Sequence, residues 1–392
     1  MDRPARATRR RSLAATGAAL VALVALAIGL TWSSWGDPPQ WKPDGLYYQV
    51  QLLELRGVDH ADALRDVFAG PLAAPRVLEE RTNPEAVPRL TDPQWVEYSA
   101  QFYRRRWVLP ALGAAIEPAF GTDSLQIVSL VGFVLVGPLL FLLLRLRFSL
   151  LPSLAAAAVC VALPPLRYWA EQPLSDSLAV AVEALAFVCA VLALERGAWW
   201  LAPWFATMLA LGFTRDTTAV LVAGAAWLAL RLRTTRSLVI LVLGVLAALP
   251  PPLFFGAPLR EALAYMFSDF TVPADTSWGF ILENYPKGLR RVQIHDFQYF
   301  RDHPLAALAG IGGLLAVYVF RRPADPYFML VRGAGIAGIA YLLLQPNYTA
   351  LRLELVFVPV IAVGLALVVD AVQGRVRDLP ASVAARPSAG KR

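Results

Sequence analysis

Apolar runs of about twenty residues recur along the chain, separated by short polar loops rich in arginine. A helix rises about 1.5 Å per residue, so runs of that length match the hydrocarbon core of a bilayer. Ten of them are predicted, near 13–32, 124–144, 150–168, 174–194, 198–213, 216–230, 237–255, 305–320, 327–344 and 353–371. Pro164-Pro165 breaks the third, the fifth and sixth are short enough to tilt or re-enter, and Pro138 and Pro359 predict kinks. Two long stretches interrupt the pattern, 33–123 after the first run and 256–304 after the seventh. The expected fold is all-α, a polytopic membrane protein with about ten transmembrane helices and short interfacial helices in two large extracytoplasmic loops.

Inside the first long stretch the polar residues punctuate helices. Asp44 is placed to N-cap a helix over 45–56 that Gly57 stops, and Asp59 and Gly70 bracket a second. Residues 71–91 read as an irregular loop. Asp92-Pro93 opens a third helix running through Trp95, Tyr98, Phe102 and Tyr103 to Arg104-Arg105-Arg106. The second stretch is similar in flavour, with Trp278, Phe280, Tyr285, Phe297, Tyr299 and Phe300 interleaved with Lys287, Arg290, Arg291, His295 and His303.

Composition supports the membrane reading, since 57% of residues are hydrophobic and only 17% charged, unlike an ordinary soluble domain. The net charge of +7 sits mostly in short clusters between apolar runs, which fits topology determinants and calls for no nucleic-acid partner. Placing the amino terminus inside puts Arg145/Arg147, Arg196, Arg231/Arg233/Arg236, Arg321/Arg322 and Arg375/Arg377 on cytoplasmic loops. Both long stretches then face outward, and both termini lie inside a plasma (inner) membrane. The segment from Arg3 to Arg11, followed by an apolar run, resembles a signal sequence. Its length and the lack of a small-x-small site in 31–35 predict an uncleaved first span, although Arg9-Arg10-Arg11 also hints at a twin-arginine signal. The organisation is thus a basic tail at 1–12, a membrane module at 13–304, three C-terminal transmembrane helices at 305–372 and a disordered cytoplasmic tail at 373–392. Cys160 and Cys189 lie in apolar runs and read as small buried residues.

The order of four short motifs adds a family resemblance. They are Pro43-Asp44-Gly-Leu-Tyr-Tyr48, Phe102-Tyr-Arg-Arg-Arg106 leading into Leu109-Pro110, Leu174-Ser-Asp-Ser177 and Phe213-Thr-Arg-Asp216. With the loop layout, the chain to about residue 301 resembles the GT-C glycosyltransferases, and 13–304 would be their catalytic module. The resemblance implies an inverting enzyme that moves a sugar from a polyprenyl-phosphate carrier to an envelope glycan, lipid or protein on the extracytoplasmic face. Asp44 matches the position of the catalytic acidic residue of that superfamily. As base it would take a proton from the acceptor hydroxyl, with a moderately raised pKa and a contribution on the order of 10²–10⁴-fold. Many members pair two acidic residues where this chain has Asp44-Gly45, which leaves Asp37 as the second candidate and divalent-metal use open; no cofactor is otherwise implied.

The residues themselves leave alternatives. Asp44 could simply cap its helix. Arg104, Arg105, Arg106, Arg215, Arg290, Arg291 and Arg352 could grip a lipid phosphate through bidentate guanidinium contacts, or snorkel to headgroups. Arg215 is favoured because it sits beside Asp216 where a helix starts. Asp176 and Glu183 share one face of the fourth span, and a carboxyl near mid-membrane needs a partner or a proton. His295 and His303 have poor spacing for zinc, so no metal site is assigned. Trp199-Trp200 is followed by leucine, so nothing points to an oligosaccharyltransferase. Gly333, Gly335 and Gly338 predict close helix packing. A multi-pass transporter or lipid flippase is the main alternative function, favoured by Glu183, and a catalytically inactive scaffold is the third. Against transport, the two long loops do not occupy corresponding positions in two halves.

Overall fold

A computed structural model of the protein describes residues 3–82, 90–268, 271–320, 325–345 and 351–377. Every regular element among them is a helix. α1 (Arg3–Leu30) is the first apolar helix, and α2 (Pro43–Leu55), α3 (His60–Phe68), α4 (Ala74–Thr82) and α5 (Pro93–Ala100) form the insertion after it. α6 (Val108–Phe120) and α7 (Ser124–Arg145) follow as one apolar stretch, then α8 (Leu150–Val161) and α9 (Pro164–Ala170), bent by 58°. α10 (Asp176–Glu195), α11 (Leu201–Gly212), α12 (Thr218–Leu232) and α13 (Thr235–Ala248) come next, α13 running into α14 (Pro250–Phe255). α15 (Leu259–Phe267) and α16 (Trp278–Asp302) make the second insertion, and α16 turns through 115° into α17 (Pro304–Val319). α18 (Pro326–Leu344) and α19 (Val358–Arg377) complete the described residues.

Six helical stretches among the described residues are long and apolar enough to cross a membrane, or up to eight when each bent pair counts as one span. The chain is a multi-pass membrane protein. The expected ten are reduced by α11 and α12, whose 12 and 15 residues reach only roughly 18 and 22 Å against a core of about 30 Å. Outward-facing rows fit a lipid surround. Leu238, Val242 and Leu246 on α13 and Leu305, Leu308 and Leu315 on α17 are exposed at spacings that keep each row on one side.

Helix contacts are close where glycine permits. A Cβ on Gly333 of α18 would lie 3.0 Å from the Cα of Gly224 and 2.8 Å from Cβ of Trp227, both on α12. The expectation for the α18 glycines holds here in geometric terms. Cys160 and Cys189 are free and buried, as expected.

The punctuation of the first insertion is mostly as read. The Asp59 carboxylate accepts from Ala61 N–H at 2.9 Å, and that of Asp92 from Gln94 N–H at 2.9 Å. Gly57 has φ +88°, the left-handed turn that ends α2. Four features differ. The stretch predicted as an irregular loop contains α4. The third helix stops at Ala100, and residues 101–105 form turns instead. The apolar α6 takes the last part of the predicted insertion. Asp44 is not an N-cap: Lys42 holds that position, Pro43 starts the helix, and Asp44 lies in its first turn.

The bundle has two chemically distinct ends. At one, Arg147 after α7 donates to Asp325 before α18 (Nε–Oδ2 2.6 Å) and pairs with Glu195 at the end of α10. Arg236 of α13 donates to the Leu194 carbonyl at 3.0 Å nearby. Several arginines expected on one side of the membrane therefore gather at one end; Arg321, Arg322 and 378–392 lie outside the described residues. At the other end α2, 101–107, the start of α10, 213–217 and 351–354 converge.

Candidate functional site

This second end is built by five segments distant in sequence. Gly45 of α2 sits against residue 173, where a Cβ would lie 3.1 Å from Cγ and 3.2 Å from O of Pro173. That contact sets Asp44 beside the segment leading into Asp176. The Val108 N–H donates to the Phe213 carbonyl at 3.1 Å, which brings the Arg104–Arg106 turn alongside Arg215 and Asp216. Gln51 donates to the Tyr103 carbonyl at 2.5 Å and fixes that turn to α2. Leu351 adopts φ +58°, a left-handed backbone that costs a non-glycine residue about 1–2 kcal/mol. It orients Arg352 toward the cluster.

Arg352 is the centre of the arrangement. It is buried, and its Nη1 donates to Asp44 Oδ2 at 2.5 Å. Its Nε reaches both oxygens of Asp176 at 2.8 and 2.9 Å, and Nη2 lies 2.8 Å from Oδ2. Trp169 packs under the guanidinium at 5.1 Å. Arg215 also pairs with Asp176, which is 1% exposed. Arg105 pairs with Asp216. Arg106 is held more loosely, 3.8 Å from Asp44 Oδ2 and 3.6 Å from Asp216 Oδ2, and donates to the Tyr48 hydroxyl at 3.1 Å. Tyr48 meets Ser175 Oγ at 3.1 Å.

Asp44 thus does not cap a helix with its side chain. Oδ1 accepts from the Tyr103 hydroxyl at 2.7 Å and Oδ2 from Arg352. Burial alone would push this carboxyl up, yet Arg352 and Arg106, with the hydrogen bonds from Tyr103 and Arg352, bring it down to about 2. The expectation of a raised pKa is reversed. Asp216 is lowered likewise, burial being outweighed by Arg105, Arg106 and Arg215. Tyr103 is pushed well up by burial and by the Asp44 charge, so it stays a hydroxyl donor. Helix ends add to the field: α12 points its amino terminus here, and the buried Thr217 Oγ1 at its N-cap has no hydrogen-bond partner.

An apolar cavity of about 170 Å³ lies between the end of α16, α17 and the start of α19, and Leu351 and Glu354, near Arg352 in sequence, line it. Tyr299, Phe300, Leu314, Leu355 and Ile361 line it, with Glu354 as its carboxyl. Asp296 of α16 lies close enough to Glu354 for the two carboxyls to interact. The two insertions also touch: Tyr265 of α15 stacks on Phe102 at 4.5 Å and on Trp95 at 6.2 Å.

Of the residues singled out from sequence, Asp44, Asp176, Arg105, Arg106, Arg215 and Arg352 come together. Arg104 turns outward to Glu97 and His60. Arg290 and Arg291 lie exposed on α16, and Asp37 is exposed before α2. Glu183 is buried in α10, with Oε1 unpartnered beside a void about the size of one water that also touches Asp176, Arg215, Thr217 and Arg352. Sequence reasoning assigned no role to Tyr48, Tyr103, Asp216 or Glu354. The first three lie inside the quoted motifs, which was the available signal; Glu354 had none. Among the described residues no group of three or more His, Cys, Asp or Glu is placed to hold a metal ion. The chain matches no protein-family model and no curated protein.

Proposed function

We propose that this protein is an inverting glycosyltransferase of the GT-C type, moving a sugar from a polyprenyl-phosphate carrier to an envelope acceptor on the extracytoplasmic face of the plasma membrane. The observation that carries it is the environment of Asp44. Its carboxylate makes no cap and lies among arginines at a bundle end, with an apolar cavity that Leu351 and Glu354, near Arg352 in sequence, help to line. A carboxylate, a set of phosphate-binding guanidiniums and a greasy slot are the three things such a transfer needs.

In the proposed step the acceptor oxygen attacks the anomeric carbon while its proton passes to the Asp44 carboxylate. The bond from that carbon to the phosphate oxygen breaks, and the lipid phosphate leaves with the electron pair, its charge taken up by Arg106, Arg215 and Arg352. Asp44 is a weak base while Arg352 and Arg106 hold it low. A bound phosphate competes for those guanidiniums, which weakens their pull and moves Asp44 toward a useful basicity. The apolar cavity accommodates part of the prenyl chain.

The topology fits the same reading. α11 and α12 are short, yet they connect the Arg147 end to the Arg215 end and back, and counted as crossings in a locally thinned bilayer they bring the count to about ten. The Arg147 end then faces the cytoplasm with both termini. Glu183 with its unpartnered Oε1 favours the second reading, a transporter or flippase. The test is a reconstituted bilayer loaded with a radiolabelled polyprenyl-phosphate sugar and envelope acceptors. Sugar transfer with release of lipid phosphate supports the enzyme. Carriage of the intact labelled lipid across the bilayer, with no transfer, would establish the alternative.

A further inference from the structure

Glu183 is the buried acid to which the transfer step gives no task. It shares a face of α10 with Asp176, about two turns deeper in the bundle, and is 1% exposed. Its Oε1 has no hydrogen-bond partner, and the residue lines a void of about 10 Å³. The same void is lined by Thr217, whose Oγ1 is likewise buried without a partner at the start of α12, and by Asp176, Arg215 and Arg352. Leu355 and Val356 help to close its apolar side.

Two orphaned polar atoms from different helices beside one small void make the setting in which proteins hold an ordered water. A space of this size suits a single water, which needs two to four polar partners. Glu183 and Thr217 supply two, and the Arg215–Asp176 pair borders the void to supply a third. Room for one water is also too little for a substrate route.

Arg215 is the group that this water steadies. Both oxygens of Asp176 are engaged by Arg352, whose Nε lies 2.8 and 2.9 Å from them, and Arg215 Nη1 shares Oδ1. Asp176 therefore divides its hold between two guanidiniums of like charge. A second acceptor on the Arg215 side eases that competition and helps to set the plane of the guanidinium, on which bidentate contact with a phosphate depends.

We infer that Glu183 is a positioning residue: through one buried water shared with Thr217 it holds Arg215 in the orientation that meets the lipid phosphate. This rests on the glycosyltransferase reading and deepens it, giving the mid-bundle acid a part in donor binding in place of transport.

The test measures binding of radiolabelled polyprenyl phosphate to the full chain in one detergent, alongside sugar transfer from the polyprenyl-phosphate sugar. The proteins are wild type, Glu183→Gln, Glu183→Leu, Thr217→Val, Arg215→Lys and the Glu183→Leu/Arg215→Lys double variant. Glu183→Leu removes the acid's acceptor and should weaken binding about two- to tenfold, the worth of one net hydrogen bond. Thr217→Val deletes the hydroxyl at nearly constant volume and should act in the same direction, which answers the question even where Glu183→Leu folds poorly. Glu183→Gln retains an acceptor oxygen and should recover most of the loss. Because Glu183 acts through Arg215, the double variant should bind scarcely worse than Arg215→Lys alone, whereas independent packing damage would add. Wild-type affinity in both Glu183→Leu and Thr217→Val, or additivity in the double variant, overturns the inference and leaves the enzyme reading standing. A loss in Glu183→Gln as large as in Glu183→Leu also overturns it, since the ionisable proton rather than the hydrogen bond would then matter, as transport requires. Absence of sugar transfer by wild type, with the binding pattern intact, overturns the enzyme reading and not the placement of Glu183 under Arg215.

Discussion

Replacing Arg352 by methionine should expose how much of the fold depends on the cluster. The side chain is buried and donates to Asp176 from Nε at 2.8 and 2.9 Å and to Asp44 from Nη1 at 2.5 Å, joining segments 176 and 308 residues apart. Methionine fills similar volume without charge. Breaking a buried ion pair by removing one partner costs about 3–5 kcal/mol. Here the abandoned carboxylates keep other partners, Arg215 for Asp176 and Tyr103 for Asp44, which places the loss near about 3 kcal/mol. Asp44→Asn alone should cost less, about 1.5–3 kcal/mol, because Arg352 retains Asp176. The two changes remove one shared contact, so the double variant should lose less than the sum of the singles by about 1–3 kcal/mol. Arg352→Lys should recover only part, since an ammonium cannot span both carboxylates in fork geometry. Chemical denaturation of the four proteins in one detergent, followed by far-UV circular dichroism, gives the cycle. Additivity within about 0.5 kcal/mol would refute the placement of Arg352 between Asp44 and Asp176.

Four further outcomes follow from the same geometry. Asp44 is lowered from 3.8 to about 2 in the folded protein, so its charged form contributes about 2 kcal/mol that is fully present above about pH 4 and lost as pH falls through about 2. The stability difference between wild type and Asp44→Asn should therefore stay flat from about pH 5 to 8 and shrink in acid, as read by denaturation at each pH. Gly45→Val should lower stability by about 1–3 kcal/mol by overpacking against Pro173, and should reduce transfer further by displacing Asp44. Gly333→Leu should prise α18 from α12 and cut the yield of folded protein, measured by size-exclusion profile in detergent. Arg147→Met, at the opposite end, should destabilise through Glu195 and Asp325 while leaving the transfer rate per folded molecule within about twofold of wild type.

Much of the helical layout was legible because membrane spans announce themselves locally, by twenty apolar residues in a row. Cap residues were legible for the same reason, and Asp59, Asp92 and Gly57 act over two or three positions. Asp44 misled, because Lys42-Pro43 starts the helix two residues earlier and Pro at the first turn is as good a signal as Asp before it. α6 was hidden by the polar residues before it, and α4 by a stretch too charged to look periodic. The site was half legible. A motif order picked out Asp44, Arg105, Arg106 and Arg215, but no local signal tells that Arg352 reaches both Asp44 and Asp176, or that Arg106 is the one left without a close carboxylate. Pairing is a tertiary property, and the same arginines at span ends snorkel just as readily when no carboxylate meets them.

The most direct test of the central claim is the single-turnover rate of sugar transfer from saturating polyprenyl-phosphate sugar by Asp44→Asn relative to wild type, with equal donor binding verified. The account predicts a fall of about 10²–10⁴-fold, as expected when a positioned base is lost. Transfer by Asp44→Asn at the wild-type rate would contradict it.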